Sequence, residues 1–278
     1  MPILHQKPLL ENKSDVVLAL PGWEAHQAGR HNRDLSTREY RWLDQFNTAP
    51  GARELQRTHW KSYPSALKIK LSGREEIEGR LDQISLGSAL RSRRSIRKFS
   101  GEGISLETLS VLLSSGYGSG RPGAESATPS GGARRPIEIY ICALKIKEVP
   151  QGYYHYNRFD HVLELVTKVD DPLASLECAA FNDPNIDLKN ASFVVVLTSV
   201  FHRTLRKYGH RGWRYLYLDA GHLGQNLWLT ATALGLGACA YGGGFDSVLA
   251  EQLGLSPAVE APLIGYIVGQ KPGNALGK

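Results

Sequence analysis

Long apolar runs are missing from this sequence. No stretch of about 18 uninterrupted apolar residues occurs in its 278 residues, so nothing in it reads as a membrane-spanning helix and no membrane partner is expected. The N-terminus, MPILHQKPLLENKSD, lacks the basic start, apolar centre and small-residue exit of a secretion signal, which leads to the expectation of a cytoplasmic protein. Cysteine is scarce as well. Cys142, Cys178 and Cys239 are odd in number and show no CxxC spacing, which argues against a disulfide framework and a cysteine zinc site and suggests buried thiols. No metal is expected. Neither GxGxxG nor GxxxxGK[ST] is present, so the Rossmann and Walker phosphate loops are also missing. The net charge of +6 comes with no recognisable nucleic-acid motif and is spread over the chain apart from two clusters, RSRRSIRK at 91–98 and FHRTLRKYGHRGWR at 201–214. A nucleic-acid partner is therefore not expected, and an anionic cofactor or a solvated basic face remains.

What is present is an ordinary globular composition. With 42% hydrophobic and 9% aromatic residues, the chain can bury a core suited to one domain of roughly 200 residues plus an appendage, or to two small domains. Its texture changes near residue 84. Earlier residues are polar with scattered Trp and Tyr and no strong period; later ones alternate between helix and strand signals, which divides the chain into a 1–83 extension and an 84–278 domain. ISLGSALRSRRSIRKF reads as a helix ending at the basic cluster, and SLETLSVLLSSGYG as an amphipathic helix with Ser105 as N-cap. A Pro, Gly and Ser-rich loop follows at 116–133. PIEIYICALK alternates like a strand, ASFVVVLTSVF is the continuous run of a strand buried on both faces, and GYYHYNRFDHVLELV between them is a hairpin turning at Asn157 and Asp160. RYLYLDAGHLGQNLWLTATALGLGA reads as one long helix, FDSVLAEQLGL as a shorter one and APLIGYIVGQ as a last strand.

Two features of this pattern ask for a ligand or a partner. On the long helix Asp219, His222, Asn226 and Thr230 fall within an arc of about 80°, a polar stripe on an otherwise apolar helix. Unpaired buried polar groups cost on the order of 1–3 kcal/mol, so the stripe needs partners, either within the chain or from a cofactor or second subunit. The other feature is a pair of glycine-rich loops, TPSGGARRP leading into a strand and AYGGGFDS leading into a helix, where the backbone can approach a ligand closely.

The order RRSIRKF, then PSGGARRPIEIYI, then LDAGHLGQNLWLTATALGLGACAYGGGFDSVLAEQLGL resembles the nitroreductase superfamily of FMN flavoproteins over residues 84–272. Within it the chain is similar to the SagB-type branch, the dehydrogenases that oxidise thiazoline and oxazoline rings to azoles in ribosomally made peptides. The resemblance implies an α+β fold with a mixed, mainly antiparallel sheet flanked by helices, and a homodimer with FMN at the interface. It implies that Arg93, Arg94, Ser95 and Arg97 grip the FMN phosphate and ribityl chain, a task for which the planar guanidinium fork is well shaped. It assigns Ser130, Gly131 and Gly132 to flavin contact, and Gly243 and Gly244 to backbone N–H contacts with the ring edge. Many nitroreductases carry an acidic residue where Gly243 stands, but a backbone donor needs no side chain.

The same resemblance gives Lys207 and Tyr208 a role. In the azole-forming branch a Lys-Tyr pair ahead of RG[WY]R is the catalytic motif, and this chain has KYGHRGWR. Azoline oxidation removes a proton and a hydride from adjacent ring carbons, so a positioned base is required. Neighbouring residues on a regular helix point about 100° apart, so joint action by both side chains requires an irregular segment; which of the two holds the proton stays open. The implied partners are a second copy of the chain, a peptide substrate and a cyclodehydratase complex. Two other functions remain open at this point: a general FMN reductase using NAD(P)H, and a non-catalytic flavoprotein subunit of such a complex. The 1–83 extension is compatible with covering the fold, enlarging a dimer, or recognising a partner or leader peptide.

Overall fold

The two most continuously apolar segments pair at the centre of the molecule. The computed structural model describes residues 61–72, 81, 84–118 and 126–273. Its strands are β1 (Lys68–Lys70), β2 (Ile137–Ala143), β3 (Gly152–Asn157), β4 (Val162–Lys168), β5 (Phe193–Val200), β6 (Leu236–Tyr241) and β7 (Glu260–Gln270). They form one sheet in the order β1-β4-β3-β2-β5-β7-β6, with every ladder antiparallel. The helices are α1 (Leu86–Ser92), α2 (Leu106–Tyr117), α3 (Pro172–Cys178), α4 (His202–Tyr208), α5 (Gly212–Ala233) and α6 (Asp246–Gln252). This is the α+β arrangement with a mainly antiparallel sheet that the family resemblance implied.

Every residue of β2 and β5 is buried, because each strand is covered on both faces. On one face Ile137, Ile139 and Ile141 meet Leu109, Leu112 and Leu113 of α2 and Ala220, Leu223 and Leu227 of α5. On the other, Tyr140, Cys142, Val194 and Val196 meet Leu176 of α3, Phe181 and Leu249 of α6. Each large apolar side chain buried in this way stabilises the fold by about 1.5–3 kcal/mol. The long helix lies close to the sheet: a Cβ on Gly224 would collide with the Tyr266 hydroxyl of β7.

Local signals behave as their chemistry requires. Ser105 Oγ accepts from the Thr108 N–H at 3.1 Å and caps α2. Asn157 Oδ1 accepts from the N–H groups of Phe159 and Asp160, at 3.1 and 3.2 Å, and closes the β3–β4 turn. Several boundaries differ from the sequence reading. The long helix begins at Gly212 and stops at Ala233, and Leu236–Ala238, read as its tail, open the edge strand β6 (LGACAY). Gly235, with φ of 77°, makes the break. The segment LKIK, read as part of a polar stretch, supplies β1 against β4. Cys142 and Cys239 are buried as expected, but Cys178 is exposed at the end of α3. Residues 1–60, most of the N-terminal extension, lie outside the described residues. Among the described residues no helix is long and apolar enough to cross a membrane.

Candidate functional site

The expected site residues gather in two clusters linked by α5. The first is built on the sheet edge. After Ser92 the chain leaves the helix, with Arg93 at φ −57°, ψ 123°, and runs beside β6, where Ser95 bridges Ala238 and the Ile96 N–H donates to Ala238 O at 2.9 Å. Trp228 of α5 fixes this run twice: its ring lies 4.6 Å from the Arg93 guanidinium, and its Nε1–H donates to Arg94 O at 3.3 Å. Arg97 lies close enough to Cys239 to oppose the burial that pushes that thiol up to about 11. The far end of β6 delivers the glycine loop. Its flanks are pinned to the end of α3, with Tyr241 Oη donating to Ala180 O and the Phe245 N–H donating to Ala179 O, leaving Gly243 exposed and Gly244 half-buried between them.

The donor set of this cluster suits FMN. Arg94, Ser95 and Arg97 are exposed, and among the described residues no carboxylate pairs with Arg93, Arg94 or Arg97. A compact cationic edge whose arginines pair with no described carboxylate matches a phosphate dianion.

The second cluster lies about 13 Å along α5, the rise between Trp228 and Asp219. Here the Ser130–Gly131 loop is clamped by Asp219, which accepts from Ser130 Oγ at 2.6 Å and from the Gly131 N–H at 3.2 Å. Burial pushes the Asp219 carboxyl upward, and the two hydrogen bonds work against that rise. Asn226, further along the same stripe, donates to Gly116 O, Ala127 O and Thr128 Oγ1 at 3.2–3.3 Å. Of the alternatives open for the polar stripe, partners within the chain satisfy Asp219 and Asn226, while His222 is exposed. Ser130 and the Gly131 N–H are committed to this clamp, so the exposed Gly132 is the loop's open approach. Asp219→Ala removes the acceptor of two donors and is expected to destabilise the protein by about 1–3 kcal/mol. An unchanged urea midpoint would contradict the clamp.

Lys207 and Tyr208 complete this cluster. Helix α4 runs through Lys207 and gives way at Tyr208, with φ −108° and ψ 3°, before Gly209 turns the chain at φ 51°. The break after a regular helix lets the two tips converge. A Cβ on Gly132 would collide with Tyr208 Oη and lie 3.3 Å from Lys207 Nζ, and Gly132 itself is left-handed at φ 59°. Lys207 Nζ lies 5.2 Å from the Tyr208 ring centroid, and Tyr215 of α5 packs edge-on against that ring at 4.8 Å. Burial, then Tyr215, raise the Tyr208 phenol above its ordinary value, with Arg134 acting in the opposite sense.

Sequence reasoning missed a third group, a buried polar seam across one face of the sheet. His155 sits between two carboxylates, Nε2 at 2.9 Å from Glu138 and Nδ1 at 3.0 Å from Glu164. Arg203 pairs with Glu138 at 2.5 Å, and Lys61 with Glu260 at 2.5 Å. Tyr63 closes the seam: its N–H donates to Glu164 at 3.0 Å and its hydroxyl lies 3.0 Å from that of Tyr140. The available signal was one ionisable residue inside each apolar strand, at positions that the register brings to one face: His155 opposite Tyr140 and opposite Glu164.

The chain is similar to several known proteins. The sequence profile described as the Nitroreductase family matches residues 90–270. A nitroreductase-like protein of Methanocaldococcus jannaschii, MJ1384, is 33% identical over 192 residues, 69% of this chain and 93% of that protein. The microcin B17-processing protein McbC of Escherichia coli is 30% identical over 60% of this chain and 62% of its own. The trifolitoxin-processing protein TfxB of Rhizobium leguminosarum bv. trifolii is 32% identical over 51% of this chain and 39% of its own. The chain therefore spans less than two thirds of each of these two processing proteins. Among solved structures, a chain of the E. coli microcin synthetase McbBCD complex with truncated pro-MccB17 shares the fold at a TM-score of 0.59 and 22% identity, over 97% of this chain and 99% of that one. The likeness to McbC and TfxB accords with the SagB-type resemblance, and the match over 90–270 settles the wider relationship: the chain belongs to the nitroreductase family.

Proposed function

We propose that this protein is an FMN-dependent, SagB-type dehydrogenase that oxidises azoline rings to azoles in a ribosomally made peptide. The observation that carries this reading is the convergence of Lys207 Nζ and Tyr208 Oη on Gly132. An amine and a phenol sharing one point are the parts needed to take up a proton from a ring carbon, and reduction of a nitro group or quinone by NAD(P)H has no need of them. FMN, when bound, supplies the hydride acceptor. Arg93, Arg94, Ser95 and Arg97 would hold its phosphate and ribityl chain, and the Gly243–Gly244 and Ser130–Gly132 loops would border the ring. The protein's own task is to place the substrate carbon beside Lys207 and Tyr208 and to receive its proton there. The likeness to McbC and TfxB, both peptide-processing proteins, supports a peptide substrate, and the SagB-type resemblance extends the proposal to a cyclodehydratase partner.

A homodimer completes the proposal. Trp213, Tyr217 and Leu218 on α5 are 38%, 62% and 54% exposed, and Leu86 and Leu90 on α1 are 68% and 52% exposed, apolar surface that a second copy would cover. A monomer in sedimentation with flavin bound would defeat this part.

The catalytic reading is tested by anaerobic mixing with thiazoline and oxazoline peptides. Bleaching of the flavin absorbance, together with a product lighter by two hydrogen atoms, is the expected result. No turnover of either substrate, combined with steady NAD(P)H oxidation, would replace the reading with a general FMN reductase.

A further inference from the structure

We propose that Arg134 is a positioning residue for the Lys207–Tyr208 pair: its guanidinium, fixed against α4, stabilises negative charge on the Tyr208 oxygen. The inference rests on Tyr208 belonging to the reaction site. It adds a residue that neither glycine loop nor basic cluster would single out: Arg134, at 7% exposure, is with Arg158 and Arg203 one of three buried arginines among the described residues.

Its position is over-determined. Arg134 lies between Ala133 and Arg135, both left-handed, at φ 55° and 47°. That conformation costs an ordinary residue roughly 1–2 kcal/mol and persists only where surrounding contacts impose it. The contacts are present on both sides. The Arg135 N–H donates to Ser130 Oγ at 2.8 Å, and Ser130 is held by Asp219. Arg203 Nη1 donates to Arg135 O at 3.1 Å, while Arg134 Nε donates to Arg203 O at 3.0 Å. The loop and α4 thus clasp each other through two arginines, and the clasp places Arg134 beside the helix that ends at Tyr208.

The groups facing Tyr208 differ in sign. Lys207 stands on its own helix, Tyr215 packs against the ring from α5, and Arg134 stands in the loop two residues past Gly132, where a Cβ would collide with the Tyr208 hydroxyl; Asp219 acts on the phenol from α5. Burial, Tyr215 and Asp219 oppose ionisation of the phenol, and Arg134 is the charge that favours it; reciprocally, Tyr208 favours the charged form of Arg134. A phenol that passes a proton needs such a cation at the moment its oxygen carries charge. Arginine keeps its own charge throughout, which makes it a fixed stabiliser and not a competing base.

The test is a tyrosinate titration of the whole protein, read as the ultraviolet difference between each form and its Tyr208→Phe counterpart. Arg134→Gln is expected to move the Tyr208 component to higher pH and to lower kcat about tenfold with KM little changed. Arg134→Lys, which keeps the charge, is expected to restore most of both. Coincident titrations of wild type and Arg134→Gln would overturn the proposal. Should Arg134→Gln fail to fold, nitrogen magnetic resonance of the wild type decides. The Arg134 Nε signal should shift through the Tyr208 titration and lose that shift in Tyr208→Phe; a signal that never moves overturns it equally. The titration needs no azoline, so a protein that fails to oxidise azolines but shows the shift refutes the substrate assignment and leaves Arg134 in place.

Discussion

Replacing Tyr208 by phenylalanine, or Lys207 by alanine, is expected to lower kcat for azoline oxidation by about 10²–10⁴-fold, the range a positioned acid–base group contributes. Flavin binding should survive, because the cationic run at 93–97 and the loop at 242–244 belong to the other cluster, and both substitutions leave the Ser130–Gly132 backbone held by Asp219. Tyr208→Phe keeps the ring against Tyr215, 4.8 Å away, and removes only the hydroxyl above Gly132, so packing should hold while proton transfer fails. Since Lys207 Nζ and Tyr208 Oη both approach Gly132, the double variant should lose little more than the worse single one; groups that act as a unit are strongly non-additive. The measurement is single-turnover flavin reduction by an azoline peptide in each variant. Rates within a factor of three of wild type in both single variants would remove the pair from the chemistry and leave its convergence on Gly132 as packing.

Much of this site could be read along the chain, and what escaped depended on contacts distant in sequence. The strands β2 and β5, the hairpin with Asn157, and the capped α2 each follow from local chemistry and appear where that chemistry put them. Strand β6 escaped because LGLGA continues the apolar texture of α5, and only Gly235 at φ 77° and pairing with β7 separate the two. The polar stripe of α5 was visible as a period, but its partners were not: Asp219 bonds Ser130, 89 residues away, and Asn226 bonds Ala127, 99 residues away. Lys207 and Tyr208 posed the opposite problem. A regular helix would have pointed them apart, and α4 is regular up to Lys207; the tips meet because the helix gives way at Tyr208 and both side chains are long. Arg134 and the His155 seam left almost no local trace, since a single charged residue within an apolar strand or glycine loop looks like a solvated position until the fold closes over it.

Removal of the imidazole from that seam should produce the largest stability loss available outside the site. His155→Ala is expected to cost about 3–5 kcal/mol, because it leaves Glu138 and Glu164 facing a void without the cation between them. The pH dependence carries the same information. Burial opposes ionisation of Glu138, but Arg203 and His155 outweigh it and hold the carboxyl at about 2; for Glu164, burial is outweighed by hydrogen bonds from His155, Asn157 and the Tyr63 N–H, again giving about 2. Carboxyls depressed in the folded state contribute stability that is complete above their ordinary value near 4.5 and is lost as the pH falls towards about 2. For His155, burial lowers and the two carboxylates raise, with the net rise favouring the imidazolium. Its contribution is complete below its ordinary value and fades as the pH climbs through the elevated one. Urea unfolding across this range should therefore show an acid limb that is steep in wild type. In His155→Ala the limb should be shallower, since Glu164 loses its principal partner while Glu138 keeps Arg203 at 2.5 Å. A variant within about 1 kcal/mol of wild type at neutral pH, with an unaltered acid limb, would mean that water or a shifted Lys61 replaces the imidazole at no cost. That result would also release the seam from any part in holding Arg203, and through it the Arg134–Arg135 loop, in place beside Tyr208.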